Sequence, residues 1–367
     1  MKTDHYDVVV VGEGIAGLTA AAAAADRNRK VALVATGPGS FVTRPGWLRE
    51  QEILRASREP ELPESIAFFC ELARRAGCPY AGDLSSARSL PSLLGDFQRV
   101  ALAPFLLWNA EPRCGTSTAV VGIRGLSTFD EDFIAERFSE HARRTNSGCT
   151  YAARKISFAR DMGIPVTTLR IARCFDRDPG FRAELCSALR GAASGFDRIL
   201  VPGMLGMDSS AGQIAEFNQE LGCPVSEIPT LPPSIPGLRI YRRLQHYLHE
   251  IGVELYRGFP VEKVETCDGF CNRLQVAAPG HAMNLCCRSA VLATGRHSAN
   301  PLGSACAGRD QQLRPLDSNC AVLAQNLFVA GSLPNSGAAS HGDVLHILTG
   351  YRAGNLAAST KGNHAAR

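Results

Sequence analysis

Several features that mark other classes of protein are missing from this sequence. No apolar run reaches the ~18 residues that a membrane-spanning helix needs, so no such helix is expected. The opening residues, MKTDHYDVVVVG, lack the charged and then apolar pattern of a secretory signal peptide, so we expect a cytoplasmic protein. The net charge is only +4, and no basic stripe interleaved with aromatic residues occurs, which argues against nucleic-acid binding.

The sequence also lacks a CxxC pair, although it contains 13 cysteines. The nearest clusters are Cys267 with Cys271 and the adjacent pair Cys286 and Cys287. Neither cluster has the spacing of an iron–sulfur site or a zinc ribbon, so no metal site is predicted. An odd number of cysteines in a cytoplasmic chain favours reduced thiols that pack as small apolar side chains.

A glycine turn between a strand and a helix is the strongest signal that is present. The Val-rich run at residues 6–11 predicts a buried parallel strand, the Ala-rich run at 18–25 predicts a helix, and residues 30–34 predict a second strand. The turn consists of Gly12, Glu13, Gly14, Ile15, Ala16 and Gly17. This order of strand, GxGxxG turn, helix and strand is typical of a dinucleotide-binding unit.

Each glycine of this turn has a distinct expected role. Gly12 permits the tight turn, Gly14 lets the backbone approach a pyrophosphate, and Gly17 lets the helix lie close to the sheet. The helix then directs its free N–H groups and the positive end of its dipole at the phosphates. The alternative is a glycine-rich turn with a structural role only.

The acidic residue that usually ends the second strand of such a unit is missing. That residue holds the adenosine ribose, but Ala35 and Thr36 occupy its place, and no Asp or Glu occurs between Asp26 and Glu50. The Thr36 hydroxyl offers one weaker hydrogen bond. A mononucleotide and a differently held dinucleotide therefore both remain open.

Two later motifs complete a pattern found in flavoproteins. A strand leads into Ala293, Thr294 and Gly295, where small residues let the backbone pass close to a cofactor. A second short strand, in residues 326–332, ends in Gly331 and Ser332, and a helix is predicted from Gly342 to about residue 358. That helix would direct its N-terminus at the pyrimidine end of a flavin. Ser332 replaces the usual Asp, and two ordinary strand–turns are the alternative interpretation.

The middle of the chain alternates strands and helices like a second α/β unit. The predicted strands are residues 119–123, 164–171, 197–202 and 223–228, and the predicted helices are 130–144, 179–193 and 213–221. Residues 37–113 are expected to act as a lid, with one helix at 64–76. An amphipathic helix at 237–251 and a hairpin over 261–277 follow.

These elements predict an α/β fold: a Rossmann-like flavin-binding domain of the two-dinucleotide-binding flavoprotein type, with an inserted second α/β domain. The expected boundaries are 1–113 and 237–367 for the discontinuous flavin-binding domain. Residues 114–236 form the inserted substrate or partner domain.

With these motifs in place, the chain resembles the B subunits of the anaerobic glycerol-3-phosphate dehydrogenases. The stretches VGIRGL (121–126), ILVPG (199–203) with Gly206, and above all TLPPSIPGLR (230–239) carry this resemblance, and Ser332 fits it. It covers nearly the whole chain and is weakest at 37–113. The chain departs from the family near residues 340–343, where the family is richer in glycine, and is short between residues 294 and 313.

The resemblance implies a flavin subunit with FMN, and FAD stays open because a GxGxxG turn normally holds pyrophosphate. It implies two partners, a larger FAD-containing catalytic subunit and an iron–sulfur subunit that lies at the membrane. Together the three would oxidise sn-glycerol 3-phosphate to dihydroxyacetone phosphate and pass electrons to quinone. The present chain would then lie in the cytoplasm and reach the inner membrane only through the complex.

Candidate catalytic residues follow from what alcohol oxidation by a flavin needs: a base for the alcohol proton and cations for the phosphate. Arg296 and His297 come directly after the second motif, and His341 precedes the last helix. Arg124 and Arg239 lie in the family-like loops and suit bidentate phosphate contact. Solvated or hydrogen-bonded histidines, and a solvated helix face at Arg239, are the alternatives.

Two further functions remain open at this stage. One is a flavoprotein-like scaffold kept for assembly with the other subunits and without its own redox chemistry. The other is a self-standing flavin-dependent oxidoreductase that uses another substrate.

Overall fold

The computed structural model describes residues 3–278, 281–295, 301–302, 305–332 and 342–360. The chain divides into two compact units. The first comprises residues 1–40, 54–72 and 244–367, and the second comprises 41–53 and 73–243. No helix within the described ranges is long and apolar enough to cross a membrane.

The strands and helices are numbered here in chain order. The strands are β1 (Thr3–Val11), β2 (Val31–Ala35), β3 (Leu48–Arg49), β4 (Tyr80–Gly82), β5 (Arg88–Pro91), β6 (Phe97–Pro104), β7 (Ser117–Ile123), β8 (Thr150–Ile156), β9 (Arg198–Pro202), β10 (Val225–Ile228), β11 (Glu254–Arg257), β12 (Val261–Cys267), β13 (Phe270–Ala278), β14 (His281–Leu292), β15 (Gly308–Arg309), β16 (Pro315–Leu316) and β17 (Leu327–Val329). The helices are α1 (Ile15–Ala25), α2 (Glu50–Ala56), α3 (Leu62–Arg75), α4 (Phe105–Trp108), α5 (Glu131–Thr145), α6 (Thr168–Arg177), α7 (Pro179–Ala193), α8 (Ala211–Leu221), α9 (Ile235–Glu250) and α10 (Asp343–Ser359).

The first unit is built on a mixed sheet with strand order β11-β2-β1-β14-β13-β12, and β17 also pairs with β14. Strands β11, β2, β1, β14 and β17 are parallel, whereas β12, β13 and β14 form an antiparallel meander. The Val-rich strand β1 is central, and Val8, Val9 and Val10 are fully buried because both faces of the sheet are covered there. The predicted Rossmann-like class is confirmed by this arrangement.

Helices α1 and α10 cross at very short range on this sheet. A Cβ at Gly350 would lie 2.3 Å from the Ala16 carbonyl oxygen, and one at Gly354 would lie 2.4 Å from the Ala20 carbonyl oxygen. The Ala-rich sequence of α1 is therefore explained by packing as well as by helix propensity, since only small residues fit at this crossing.

The second unit contains a parallel sheet with strand order β10-β9-β7-β8, and α5, α7 and α8 pack around it. The core is formed by buried side chains from strands and helices alike, among them Val121, Ile134, Phe138, Leu185 and Leu200. The predicted second α/β fold is thus present in the structure.

One predicted strand of this unit is wrong. Residues 164–171 do not form a strand; helix α6 begins at Thr168, and the Thr167 side chain caps it by accepting a hydrogen bond from the Arg170 amide at 3.2 Å. The fourth strand is instead β8, in which only Ile156 is buried, and it therefore lacks the apolar signal of a buried strand. The β-branched residues before α6 have a strand-like composition, but the Thr167 cap favours the start of a helix.

Residues 73–113 group with the second unit, as do 41–53 and 237–243, which differs from the expected domain boundaries. Strand β6 pairs with β3, β4 and β5 in a small antiparallel sheet. Trp47, Leu90, Leu107 and Trp108 form the apolar cluster of this region. Residues 88–104 therefore have regular secondary structure, which the proline-broken sequence did not predict; their expected role as a lid stays a prediction.

Candidate functional site

The first two predicted motifs lie against each other in the first unit. A Cβ at Gly12 would lie 2.3 Å from the Ala293 carbonyl oxygen, and Gly12 has φ +104°, so glycine is required there twice over. The Ala293 amide donates a hydrogen bond to the Val11 carbonyl oxygen at 2.7 Å. The turn after β1 and the turn Ala293–Thr294–Gly295 after β14 therefore share one edge of the sheet.

The third motif reaches the same edge. A Cβ at Gly331, where φ is +76°, would lie 3.4 Å from the Ala16 Cβ. The Gly331 amide donates to the Thr349 hydroxyl at 2.9 Å, which ties the turn after β17 to helix α10. The structure thus brings together three motifs that lie at residues 12–17, 293–295 and 331–332 of the sequence.

Gly14 differs from its neighbours because no contact with a described residue requires a glycine there. Its φ of −71° suits any residue, and a Cβ placed there would meet no described atom within 4 Å. At Gly17, by contrast, a Cβ would lie 1.7 Å from the Gly12 carbonyl oxygen. Gly17 is required for the fold, whereas Gly14 leaves open space against the backbone, which is the space a pyrophosphate needs.

Two helix N-termini at this edge carry no side-chain cap. Gly14 is the N-cap of α1 and Gly342 the N-cap of α10, and neither has a side chain that accepts from the first turn. Such N-termini attract anions through their free amides and dipole. In α10, the buried carboxylate of Asp343 already lies in the first turn, so α1 is the less obstructed of the two.

Glu13, inside the glycine turn, is buried and belongs to a polar chain. The Gln245 amide Nε2 donates to Glu13 Oε2, and Arg257 Nη1 donates to Gln245 Oε1 at 3.2 Å. Glu13 is 2% exposed and Gln245 is 5% exposed. Gln245 therefore connects a buried carboxylate to a cation, and this stabilises a negative charge within the turn expected to hold phosphates.

The end of β2, where an acidic side chain would usually bind the adenosine ribose, has no acidic residue, as the sequence indicates. Ala35 is buried at the end of β2, and Thr36 is exposed just beyond it. Arg257 of β11 is the register partner of Ala35. A guanidinium therefore lies beside the strand end where a carboxylate is usual.

A half-buried cation lies at the third motif. Arg309 Nη1 donates to the carbonyl oxygens of Val329 at 3.2 Å and Gly331 at 2.9 Å, and forms no ion pair with any described residue. Burial lowers the pKa of Arg309, and the nearby charge of Arg352 adds to this. Beside it, Ser332 Oγ and His346 Nε2 are 3.0 Å apart. Sequence reasoning missed Arg309, because no motif includes it.

The three predicted catalytic residues, Arg296, His297 and His341, lie outside the described residues. Their roles stay predictions. Of the two loop arginines, Arg124 is exposed and its side chain pairs with no described residue.

Arg239 is neither solvated nor available for a ligand. Its guanidinium forms a bidentate pair with Glu227, with Nη1 and Nη2 each 2.9 Å from a carboxylate oxygen, and its Nε donates to the Gly206 carbonyl oxygen at 2.8 Å. Glu227 Oε1 also accepts from the amides of Met204 and Leu205 at 2.9 and 2.7 Å. Through Glu227, Arg239 at the end of TLPPSIPGLR and the loop that follows ILVPG therefore form one buried network. Arg239 is thus neither a phosphate contact nor part of a solvated helix face, and both alternatives are corrected.

Within the described ranges, no group of three or more His, Cys, Asp or Glu side chains is placed to hold a metal ion. All 13 cysteines are unpaired, and Cys267 is exposed whereas Cys271 is buried.

Comparisons with known proteins agree with this geometry. The family model described as "FAD binding domain" matches residues 7–48 and 39–257. The B subunit of the anaerobic glycerol-3-phosphate dehydrogenase of Pectobacterium carotovorum subsp. carotovorum (strain PC1) is 30% identical, and the match covers 81% of this chain and 76% of that protein. The chain belongs to the B-subunit family of the anaerobic glycerol-3-phosphate dehydrogenases. The resemblance drawn from the motifs is confirmed.

A second member of this B-subunit family matches over almost the full length. The B subunit of the probable anaerobic glycerol-3-phosphate dehydrogenase of Halobacterium salinarum (strain ATCC 29341 / DSM 671 / R1) is 26% identical, and the match covers 96% of this chain and 97% of that protein. These relatives and the FAD binding domain make the chain a flavin-related oxidoreductase subunit.

Among solved structures, 3-ketosteroid Δ1-dehydrogenase from Sterolibacterium denitrificans is 16% identical, with a TM-score of 0.32 over 79% of this chain and 47% of that chain. A likeness this low carries no argument about activity.

Proposed function

We propose that this protein is the flavin-bearing subunit of a multi-subunit anaerobic sn-glycerol-3-phosphate dehydrogenase. The complex oxidises glycerol 3-phosphate to dihydroxyacetone phosphate and passes electrons through an iron–sulfur subunit to quinone. The partners are the larger FAD-containing subunit and the iron–sulfur subunit, and the protein reaches the inner membrane through them. The names of the relatives and the FAD binding domain support this proposal.

The single observation that most directly supports flavin binding is the open space at Gly14. A Cβ at this residue would meet no atom of the described residues within 4 Å, and the uncapped N-terminus of α1 begins there. A pyrophosphate would use both features. Because the family model is an FAD binding domain, FAD is the proposed flavin, and the expectation of FMN is not confirmed.

The residues at the three turns fit this cofactor, and each group of them would have a different role in binding it. The amides at the start of α1 hold the phosphates, and Gly12, Ala293 and Gly331 keep the backbone turns close together. The flavin, when bound, supplies the two-electron acceptor. Arg309 supplies a fixed positive charge beside Gly331. His297 or His341 accepts the alcohol proton, and Arg296 binds the substrate phosphate.

Activity of the whole complex tests this function. The chain is co-expressed with the larger flavoprotein and the iron–sulfur protein of its own organism, the complex is purified, and glycerol-3-phosphate-dependent reduction of a quinone analogue is measured. We expect activity with the wild-type chain and its loss with His297→Ala or His341→Ala, although both variants still assemble. An active complex that lacks this chain would refute the catalytic assignment.

Three substitutions favour a second candidate, a scaffold without redox chemistry. Ala35 and Thr36 replace the ribose acid and Ser332 replaces the ribityl acid, so two usual flavin contacts are weakened. A purified complex in which the larger flavoprotein accounts for all bound flavin would establish the scaffold. Activity of this chain alone, without copurifying partners, would instead indicate a self-standing oxidoreductase.

A further inference from the structure

A cavity of about 470 Å³ opens in the second unit at the amino ends of its parallel strands. Arg198 and Val225 are the first residues of β9 and β10, and both line it. Ligands of parallel α/β sheets usually bind at the opposite, carboxyl edge. In this unit that edge holds the loop at Gly206, which the Arg239–Glu227 pair occupies. The cavity is therefore separate from the Arg239–Glu227 network of the same unit.

The cavity wall contains a buried arginine that forms no ion pair with a described residue, although the charge of Glu111 acts on it weakly from a distance. Arg198 is 5% exposed, and no described carboxylate lies within ion-pair distance of it. Its Nη1 donates to the Glu111 carbonyl oxygen at 2.6 Å, and its Nη2 donates to the Asn109 carbonyl oxygen. Its Nε donates to no described atom. Burying a charge costs free energy unless the charge is paired, so a bound anion would stabilise this guanidinium.

A second cation and an unused hydroxyl line the same cavity. Arg113 is exposed, and its guanidinium contacts no described carboxylate. It lies close enough to Arg198 that its charge lowers the pKa of Arg198, although burial is the larger cause. Ser226 is 2% exposed, and its hydroxyl forms no hydrogen bond with any described residue. Two like charges thus face one space, and neither forms an ion pair with a described carboxylate.

One carboxylate also lines the cavity, but one of its oxygens already accepts two hydrogen bonds from Ser117. Asp197 Oδ2 accepts from the Ser117 amide at 2.7 Å and from the Ser117 hydroxyl at 2.8 Å, which fixes it at the start of β7. Its Oδ1 accepts from no described donor. The wall therefore offers cations for an oxyanion, and an acceptor and a hydroxyl for the alcohol groups of a ligand.

We propose that this cavity binds a small hydroxylated organic anion. Arg198 and Arg113 hold the oxyanion, and Ser226 and Asp197 hydrogen-bond its hydroxyl groups. A phosphate monoester and a carboxylate share this chemistry, because guanidinium binds both with charge-assisted hydrogen bonds. A cavity of about 470 Å³ has room for such a ligand. The site lies entirely in the second unit and does not depend on the proposed flavin function.

Isothermal titration of the purified full-length protein tests the site with three probes: glycerol 2-phosphate, glycerate and, as the neutral control, glycerol. We expect saturable one-to-one binding of at least one anion and none of glycerol. Binding of glycerol 2-phosphate alone identifies a phosphate ligand, and binding of glycerate alone identifies a carboxylate ligand. Binding of neither anion, or equal binding of glycerol, overturns the proposal.

Variants separate the site from general surface charge. Arg113→Gln and Ser226→Ala each weaken anion binding, Arg113→Gln by about tenfold, without changing the thermal midpoint of unfolding much. Arg198→Met abolishes binding but risks misfolding, so the first two variants carry the test. Arg154→Gln removes an exposed arginine that does not line the cavity and leaves binding unchanged. Equal weakening by Arg154→Gln, or unchanged binding in both Arg113→Gln and Ser226→Ala, overturns the site.

Discussion

Arg239 and Glu227 form a buried bidentate ion pair, with both N–O distances at 2.9 Å, and the pair joins the start of α9 to the end of β10. Arg239 is 6% exposed and Glu227 is 1% exposed. Glu227 also accepts two amides of the loop after β9, so a single carboxylate fixes three segments of the second unit. The most distinctive sequence stretch of the family therefore has a structural role.

Removal of one member of this pair is expected to destabilise the protein strongly. Arg239→Met leaves Glu227 as an uncompensated buried charge, which lowers the free energy of unfolding by about 3–5 kcal/mol. Urea denaturation followed by circular dichroism measures the change. Arg242→Met, on the same helix, breaks the exposed pair with Asp208 at 2.7 Å and costs about 0–1 kcal/mol. Similar losses in both variants would contradict the assigned role.

A second prediction concerns the hydrogen-bonded side chains of Arg257, Gln245 and Glu13. Gln245→Met keeps the side-chain volume but removes the donor to Glu13, so the variant loses about 1–3 kcal/mol of stability. The loss of the Gln245 hydrogen bond to Glu13 in the glycine turn also weakens flavin retention, measured as bound flavin per chain after gel filtration. His249→Met, an exposed substitution on the same helix, serves as control. Full flavin retention and unchanged stability in Gln245→Met would disprove this role of the chain.

The fold was largely predictable because its signals are local. The Val-rich strand, the glycine turn and the Ala-rich helix each follow from neighbouring residues, and β1, Gly12 and α1 lie where these predict. The partners of Glu13 and Arg239 were not predictable. Gln245 is distant from Glu13 in sequence, and an arginine at the start of a helix has the same pattern whether it is solvated or buried.

One signal was present for the polar chain at the glycine turn. Glu13 is an acid in a turn that packs against the sheet, and a buried acid requires a donor. Gln245 lies at helical spacing with the buried residues Tyr241, Leu244 and Leu248, which places it on the inner face of α9. The edge strand β8 gave no comparable signal, because an exposed strand lacks an apolar pattern.

The N-cap of helix α7 is expected to make the protein less stable in acid. Its N-cap, Asp178, has a pKa below the usual value, chiefly because of the hydrogen bond from Arg160 and then the bond from the Phe181 amide. A lowered folded-state pKa stabilises the protein above the unfolded value of about 3.9, and this contribution is lost as the pH falls through the folded value.

Asp178→Asn keeps a capping side chain but removes the charge, so its thermal midpoint lies below that of the wild type at pH 6. The difference between the two shrinks as the pH falls below about 4. Glu262→Gln, at an exposed position of β12 whose side chain has no described partner, controls for net charge. A wild-type advantage that stays constant down to pH 3 would contradict the assignment.

The cysteines are expected to differ in reactivity according to burial. Burial raises the pKa of Cys70 to about 11 and that of Cys78 to about 12, so few thiolates form at these positions. Cys114 and Cys320 are exposed. Brief treatment with iodoacetamide at pH 8, followed by peptide mass spectrometry, should modify Cys114 and Cys320 first and Cys78 last. Early modification of Cys78 would contradict the burial of its thiol.

The most direct measurement of the central claim is the flavin content of Gly14→Val. Protein is purified, denatured and centrifuged, and the released flavin is identified by mass and counted per chain, with the thermal midpoint measured in parallel. We predict one FAD per wild-type chain, loss of it in Gly14→Val with the thermal midpoint of the wild-type apoprotein retained, and full retention of FAD in Gly191→Ala, whose Cβ also meets no described atom within 4 Å. Absence of flavin from the wild-type chain, or full occupancy in Gly14→Val, would contradict a pyrophosphate at the α1 N-terminus.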